Sequence, residues 1–97
     1  MKNYFTVRVF GNDINGKKVS GCHIIKAKSR KDALRIREKY GISNPRFAEG
    51  DLRIRCDELR LEGKMKDWNL ELLERRKQGF GGSIWYEDEN GELQIET

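Results

Sequence analysis

The 97-residue chain has one histidine, one proline, two cysteines and no long apolar run. Each shortage excludes something. A Ser-His-Asp or Cys-His centre would have to use His23. Its neighbour Cys22 points to the opposite face of any strand the two share. One histidine and two separated cysteines supply no ligand set for structural zinc. Cys22 and Cys56 are too few for a disulfide framework and form no C-x-x-C motif. No stretch approaches the roughly 18 apolar residues of a membrane span. No apolar signal core follows Met1. The expectation is a cytoplasmic protein that is not an enzyme, holds no metal or cofactor and does not enter a membrane.

What the chain does have is charge. Charged residues are 37% of the total, against a usual share of about 25%. Leu, Ile, Val and Phe number 23, enough for a folded domain with a thin core. The length suits one domain. The net charge of +4 conceals an asymmetry: residues 1–50 carry a net +8 and residues 51–97 a net −4. Such a split suits an oriented docking surface, or complementarity between the chain's own halves.

Tyr4–Phe10 and Val19–Ala27 alternate like strands around Asn15-Gly16, the strongest short hairpin signal. A two-residue loop there pairs Val9 with Cys22, Val7 with Ile24 and Phe5 with Lys26. Phe5, Val7, Val9, Cys22 and Ile24 then form the core face. Tyr4, Thr6, Arg8, Phe10, His23 and Ile25 form the outer face. Ser29 reads as the N-cap of a helix over 30–40, with Gly41 as its left-handed stop. Ala33, Ile36 and Tyr40 share the apolar side of that helix, and Lys31, Arg35 and Lys39 the opposite side. Residues 43–50 read as a loop. Residues 51–62 read as a strand region with Arg53 and Arg55 outward; whether 57–62 continue as strand, turn or helix stays open. Asp67 reads as the cap of a second helix over 68–78. A second hairpin over 83–96 turns at Asn90-Gly91, with Ile84, Tyr86, Leu93 and Ile95 on one face and Trp85 on the other. The whole predicts a small single α+β domain, an antiparallel sheet with two helices in the order ββ-α-β(β)-α-ββ.

Gly79-Phe80-Gly81-Gly82-Ser83 leaves a helix and enters a strand, the reverse of a phosphate-cradling loop. Its Gly-Phe-Gly resembles the first ribonucleoprotein motif of RNA-recognition and cold-shock domains. The likeness covers three residues and ends at Gly82 and Ser83, where that motif has an aromatic and an aliphatic residue. The segment reads as a cap and hinge with Phe80 folded onto the core. Glu87-Asp88-Glu89 with Glu92 lacks the spacing of a calcium loop and reads as a solvated turn.

The basic stretch carries the functional expectation. Nine of the 20 Lys and Arg residues fall between Lys17 and Lys39. Phosphate backbones attract such patches through counterion release. The candidate contacts are Lys17, Lys18, Lys26, Lys28, Lys31, Arg35 and Lys39, extended by Arg53 and Arg55 if their strand is adjacent. Tyr4, Phe10 and Trp85 are candidate aromatic contacts, since exposed rings stack on unpaired bases. The hairpin followed by Lys28-Ser29-Arg30-Lys31-Asp32-Ala33 is similar to the arm-type DNA-binding domains of tyrosine recombinases, which place a small sheet ahead of a helix. The similarity covers about 35 residues and lacks that pattern's third strand before the helix. The expected function is docking of a nucleic acid or ribonucleoprotein on a basic hairpin-helix surface. The alternative is a protein-interaction module, such as a phage or mobile-element inhibitor or adaptor that binds a host protein, or a homodimer formed through a hairpin edge.

Overall fold

A computed structural model describes residues 2–42 and 51–97. The loop read at 43–50 lies outside the described residues. Five strands and two helices follow in the predicted order: β1 (Asn3–Asn12), β2 (Lys18–Ala27), α1 (Arg30–Tyr40), β3 (Arg53–Glu58), α2 (Lys66–Lys77), β4 (Ile84–Glu87) and β5 (Leu93–Glu96). One sheet holds all five strands in the order β3-β1-β2-β4-β5. It is mixed rather than wholly antiparallel, because β2 and β4 run parallel, with Ile24 beside Ile84 and Ile25 beside Trp85.

Both hairpins form, each in a register one residue from that of a two-residue loop. The cause is the same at both turns. Asp13 stands two residues before Asn15, and its carboxylate accepts the N–H groups of Asn15 and Lys17, each at 2.9 Å. Backbone bonds from Asp13 to Lys17 (2.8 Å) and from Gly16 to Asp13 (3.0 Å) then close a three-residue loop. Asp88 does the same for Asn90 and Glu92. Gly16 and Gly91 take the left-handed position that ends such loops, at φ 79° and 75°. The shift exchanges the two faces of β2. Val7 now opposes His23, Phe5 opposes Ile25, and Arg8 opposes Cys22. In the second hairpin Trp85 opposes Ile95, and Ile84 opposes Glu96. Trp85, Leu93 and Ile95 therefore share a side that Ile84 and Tyr86 do not.

Helices cover both sides of the sheet. Ala33 and Ile36 of α1 pack on Phe5, Val7, Ile25, Ala27 and Cys56. Leu73 of α2 packs on Ile24 and Ile84, the other side. Ile24 and Ile25 are both fully buried although they point in opposite directions. Each contributes roughly 1.5–3 kcal/mol of hydrophobic stabilisation. The ends of α1 form as its sequence dictates. Ser29 Oγ accepts the Asp32 N–H at 3.1 Å, and past Gly41 the Ile42 N–H reaches the Arg37 carbonyl at 3.0 Å. The second helix starts earlier than Asp67 implies, because a 3₁₀ turn over Gly63–Met65 feeds into it and no side chain caps it. Only Leu73 of α2 is buried. Phe80 is 65% exposed and does not fold onto the core. The apolar phase slip after Asp57 marks the end of β3 at Glu58, and residues 59–62 add no strand.

Candidate nucleic-acid interface

Two of the three cations of the Lys31–Arg35–Lys39 stripe, Arg35 and Lys39, are fastened to an acidic side chain. The stripe's side of α1 lies beside β4, on the face of the sheet that carries Glu87. Arg35 Nη2 and Lys39 Nζ each approach the Glu87 carboxylate at 2.8 Å, and the Tyr40 hydroxyl donates to it as well. Arg35 Nε also donates to Asp32 at 2.9 Å. Glu87 is therefore not part of a solvated turn. These three donors, Arg35 foremost, hold its carboxyl well below the usual carboxylate range, and Glu87 in turn raises the pKa of Arg35, Lys39 and Tyr40. Of the stripe, only Lys31 forms no ion pair with a described residue. The complementarity of the chain's two halves is realised here, between a basic helix and an acidic hairpin.

Other candidate contacts are engaged too. Lys26 lies 3.6 Å from Glu96 and above the Tyr4 ring. The Tyr4 hydroxyl donates to Glu96 at 2.8 Å, and its ring packs against the cluster around Ile24 and Leu73. Burial, and then the Glu96 bond, push the Tyr4 phenol up to about 12. Trp85 lies half-buried against the α1 core. Neither ring is an open stacking platform. His23 is half-buried opposite Val7, rather than beside Arg8. Burial, with Arg76 and then Arg37 nearby, lowers its pKa. Cys22 and Cys56 are free thiols on opposite sides of the sheet, with β1 between their strands. Burial raises the Cys56 pKa.

A second group of exposed cations gathers on the other side of the sheet, along β3, β1 and β2. Antiparallel pairing sets Arg8 of β1 directly opposite Arg55 of β3, and Phe10 opposite Arg53. On the other flank Phe10 opposes Ser20, and Asn12 opposes Lys18. All these side chains share the side of the sheet that α2 covers only near Ile24 and Ile84. Arg8, Lys18, Arg53 and Arg55 are exposed, and Phe10 is 40% exposed. A shallow concavity of about 490 Å³ opens between Phe10, Lys18, Ser20, Asp51 and Arg53. Two carboxylates border the patch: Asp57 pairs with Arg55 at 2.7 Å, and Asp51 accepts the Asn12 N–H at 2.7 Å. Arg8, Lys18 and Arg53 form no ion pair with a described residue.

The structure thus brings Lys18, Arg53, Arg55 and Phe10 together and adds Arg8. It leaves Lys17 at the hairpin tip and Lys28 and Lys31 around the start of α1. The sequence signal for Arg8 is the alternation of β1, which puts it in phase with Phe10. Among the described residues no group of three or more His, Cys, Asp or Glu is placed to hold a metal ion. No described helix is long and apolar enough to cross a membrane. No family model matches the chain, and neither a curated protein nor a solved structure matches it.

Proposed function

We propose that the chain is a small binding module that docks nucleic acid, free or within a ribonucleoprotein, on the β3-β1-β2 face. One observation carries the reading: Arg8 and Arg55 face each other across two strands, with Arg53 and Lys18 alongside. Like charges directly opposite on a sheet are destabilising. A row of phosphates relieves that repulsion and gains from the release of its counterions. The proposed surface is therefore the sheet face, not the hairpin-helix stripe. The two separated thiols suit a reducing compartment such as the cytoplasm.

The test is fluorescence anisotropy with labelled DNA and RNA. Arg8→Glu with Arg53→Glu should lower affinity at least about tenfold, as loss of two phosphate contacts implies. Lys31→Glu should change it by less than about twofold. Equal affinity in the double variant and the wild type rejects this face.

A second reading has its own observation. Trp68 on α2 is 71% exposed, and with Met65 and Leu72 it borders an apolar hollow of about 490 Å³. A solvent-facing tryptophan of this kind is a common anchor for a protein partner. The phage or mobile-element adaptor reading would use this surface. It predicts a stoichiometric protein partner that survives nuclease treatment and is lost with Trp68→Ala. Homodimerisation through a strand edge would have to use β3 or β5, since β1 and β2 are paired on both sides.

A further inference from the structure

The nucleic-acid reading leaves the strand state open, and the geometry around Phe10 narrows it. Phe10 is the exposed ring at the centre of the basic face. Arg53 flanks it on β3, Ser20 flanks it on β2, and Arg8 precedes it by one pleat on its own strand. Singly exposed apolar residues are common and need no explanation. This one is set among guanidinium groups of which two, Arg8 and Arg53, have no acidic partner among the described residues. An aromatic face within a cationic surface matches the two chemistries of an unpaired nucleotide, a π-face and a phosphate.

Duplex DNA fits this surface poorly. A major groove of about 12 Å admits a helix or a two-stranded ribbon. At Phe10 three strands lie side by side, spaced about 4.8 Å apart, and their side chains widen the surface further. The helix that carries a basic stripe, α1, lies flat on the opposite side with Arg35 and Lys39 of that stripe fastened to Glu87. A paired base, stacked within its helix, presents only its edge. Stacking on Phe10 requires a base that has left its stack.

We propose that this face takes single-stranded nucleic acid, with one unpaired base stacked on Phe10 and neighbouring phosphates held by Arg8, Arg53 and Lys18. The proposal rests on the nucleic-acid reading above and names the strand state of its ligand. Asp51 borders the hollow beside Lys18 and repels phosphate, so Arg8 and Arg53 make the principal phosphate contacts and Lys18 a secondary one.

The experiment compares a labelled mixed-sequence single strand of about twelve nucleotides, as DNA and as RNA, with the blunt duplex of the same sequence. Anisotropy is read on the full chain at one salt concentration. Wild type should bind the single strands at least about tenfold more tightly than the duplex. Phe10→Ala should weaken single-strand binding about tenfold, within the range expected for one lost stacking contact, while Phe10→Tyr should stay within about twofold. Circular dichroism checks that each variant folds. Should Phe10→Ala fail to fold, Phe10→Leu replaces it, keeping the apolar bulk without the ring and carrying the same expected loss. Preference for duplex, or equal single-strand affinity in the ringless variant and wild type, overturns this proposal while leaving the basic-face reading standing. Affinity unchanged by Arg8→Glu with Arg53→Glu, or no binding to any probe, overturns both.

Discussion

Replacing Arg8 with Glu should make the protein more stable and bind its ligand less tightly. Arg8 lies directly across from Arg55 in the β1–β3 pair. A direct cross-strand charge pair is worth roughly 0.2–1 kcal/mol, with the sign set by the charges. Arg55 is already partly neutralised by Asp57 at 2.7 Å, and both of these side chains are more than half exposed. Turning repulsion into attraction spans twice that range, roughly 0.4–2 kcal/mol, and the Asp57 partner and the exposure put the gain at its low end, about 0.5 kcal/mol. In a domain of this size that corresponds to a rise in Tm of about 2–4 °C. Thermal unfolding followed by circular dichroism at low salt measures it. The gain should shrink at about 0.5 M salt, because the charges are exposed and screened. Nucleic-acid affinity should fall over the same substitution. A fall in Tm, or a rise that salt leaves unchanged, would refute the repulsion on which the argument rests. A surface that gives up stability in this way is expected where function needs it.

Three further outcomes follow from the geometry. The Glu87 carboxyl is depressed chiefly by Arg35, so the stability it contributes is complete above the unfolded carboxylate pKa near 4.3 and is lost as pH falls below it. Glu87→Gln should be less stable than wild type at pH 7 in urea unfolding, and the gap should close on acidification; a gap constant down to about pH 2 contradicts the pairing of Glu87 with Arg35 and Lys39. The Tyr4 phenol is raised to about 12, so its contribution is complete below about pH 10 and is lost as pH rises from there to about 12. Absorbance titration of Tyr4→Phe should lack one late-ionising tyrosine, and loss of a phenol that ionises near 10 instead would count against the partly buried Tyr4–Glu96 bond. At the two hairpin turns, Gly16→Ala and Gly91→Ala each force a side chain into a left-handed backbone and should cost roughly 1–2 kcal/mol in urea unfolding; neutrality at both would mean that the three-residue loops do not form.

Local chemistry was legible in the sequence and long-range pairing was not. The first helix begins at its Ser29 cap and stops at Gly41 because caps act over three or four residues, and those residues are adjacent in sequence. Each hairpin was located by its Asn-Gly, yet each register needed one more residue, the aspartate two positions before the asparagine. Asp13 and Asp88 capture the turn amides and lengthen both loops from two residues to three. That one-residue change moved His23 toward the core and Cys22 away from it. The parallel β2–β4 pair had no local signal, since the two strands are separated by α1, β3 and α2. The basic surface was read from the density of Lys and Arg along the chain. Density locates charge but not its partners, and Glu87, 48 residues beyond Lys39, neutralises much of the helix stripe. Arg53 and Arg55 enter the patch only because β3 pairs with β1 and sets them beside Phe10 and Arg8.

The central claim, that the β3-β1-β2 face carries phosphates, is tested most directly by the salt dependence of nucleic-acid affinity in the wild type and in Arg8→Glu with Arg53→Glu. Four cations, Arg8, Lys18, Arg53 and Arg55, line the face. For a single strand the three that hold phosphates, Arg8, Lys18 and Arg53, predict a slope of log K against log salt of about −2, falling to about −1 in the double variant. A wild-type slope near zero, or the same slope in both proteins, would contradict the account.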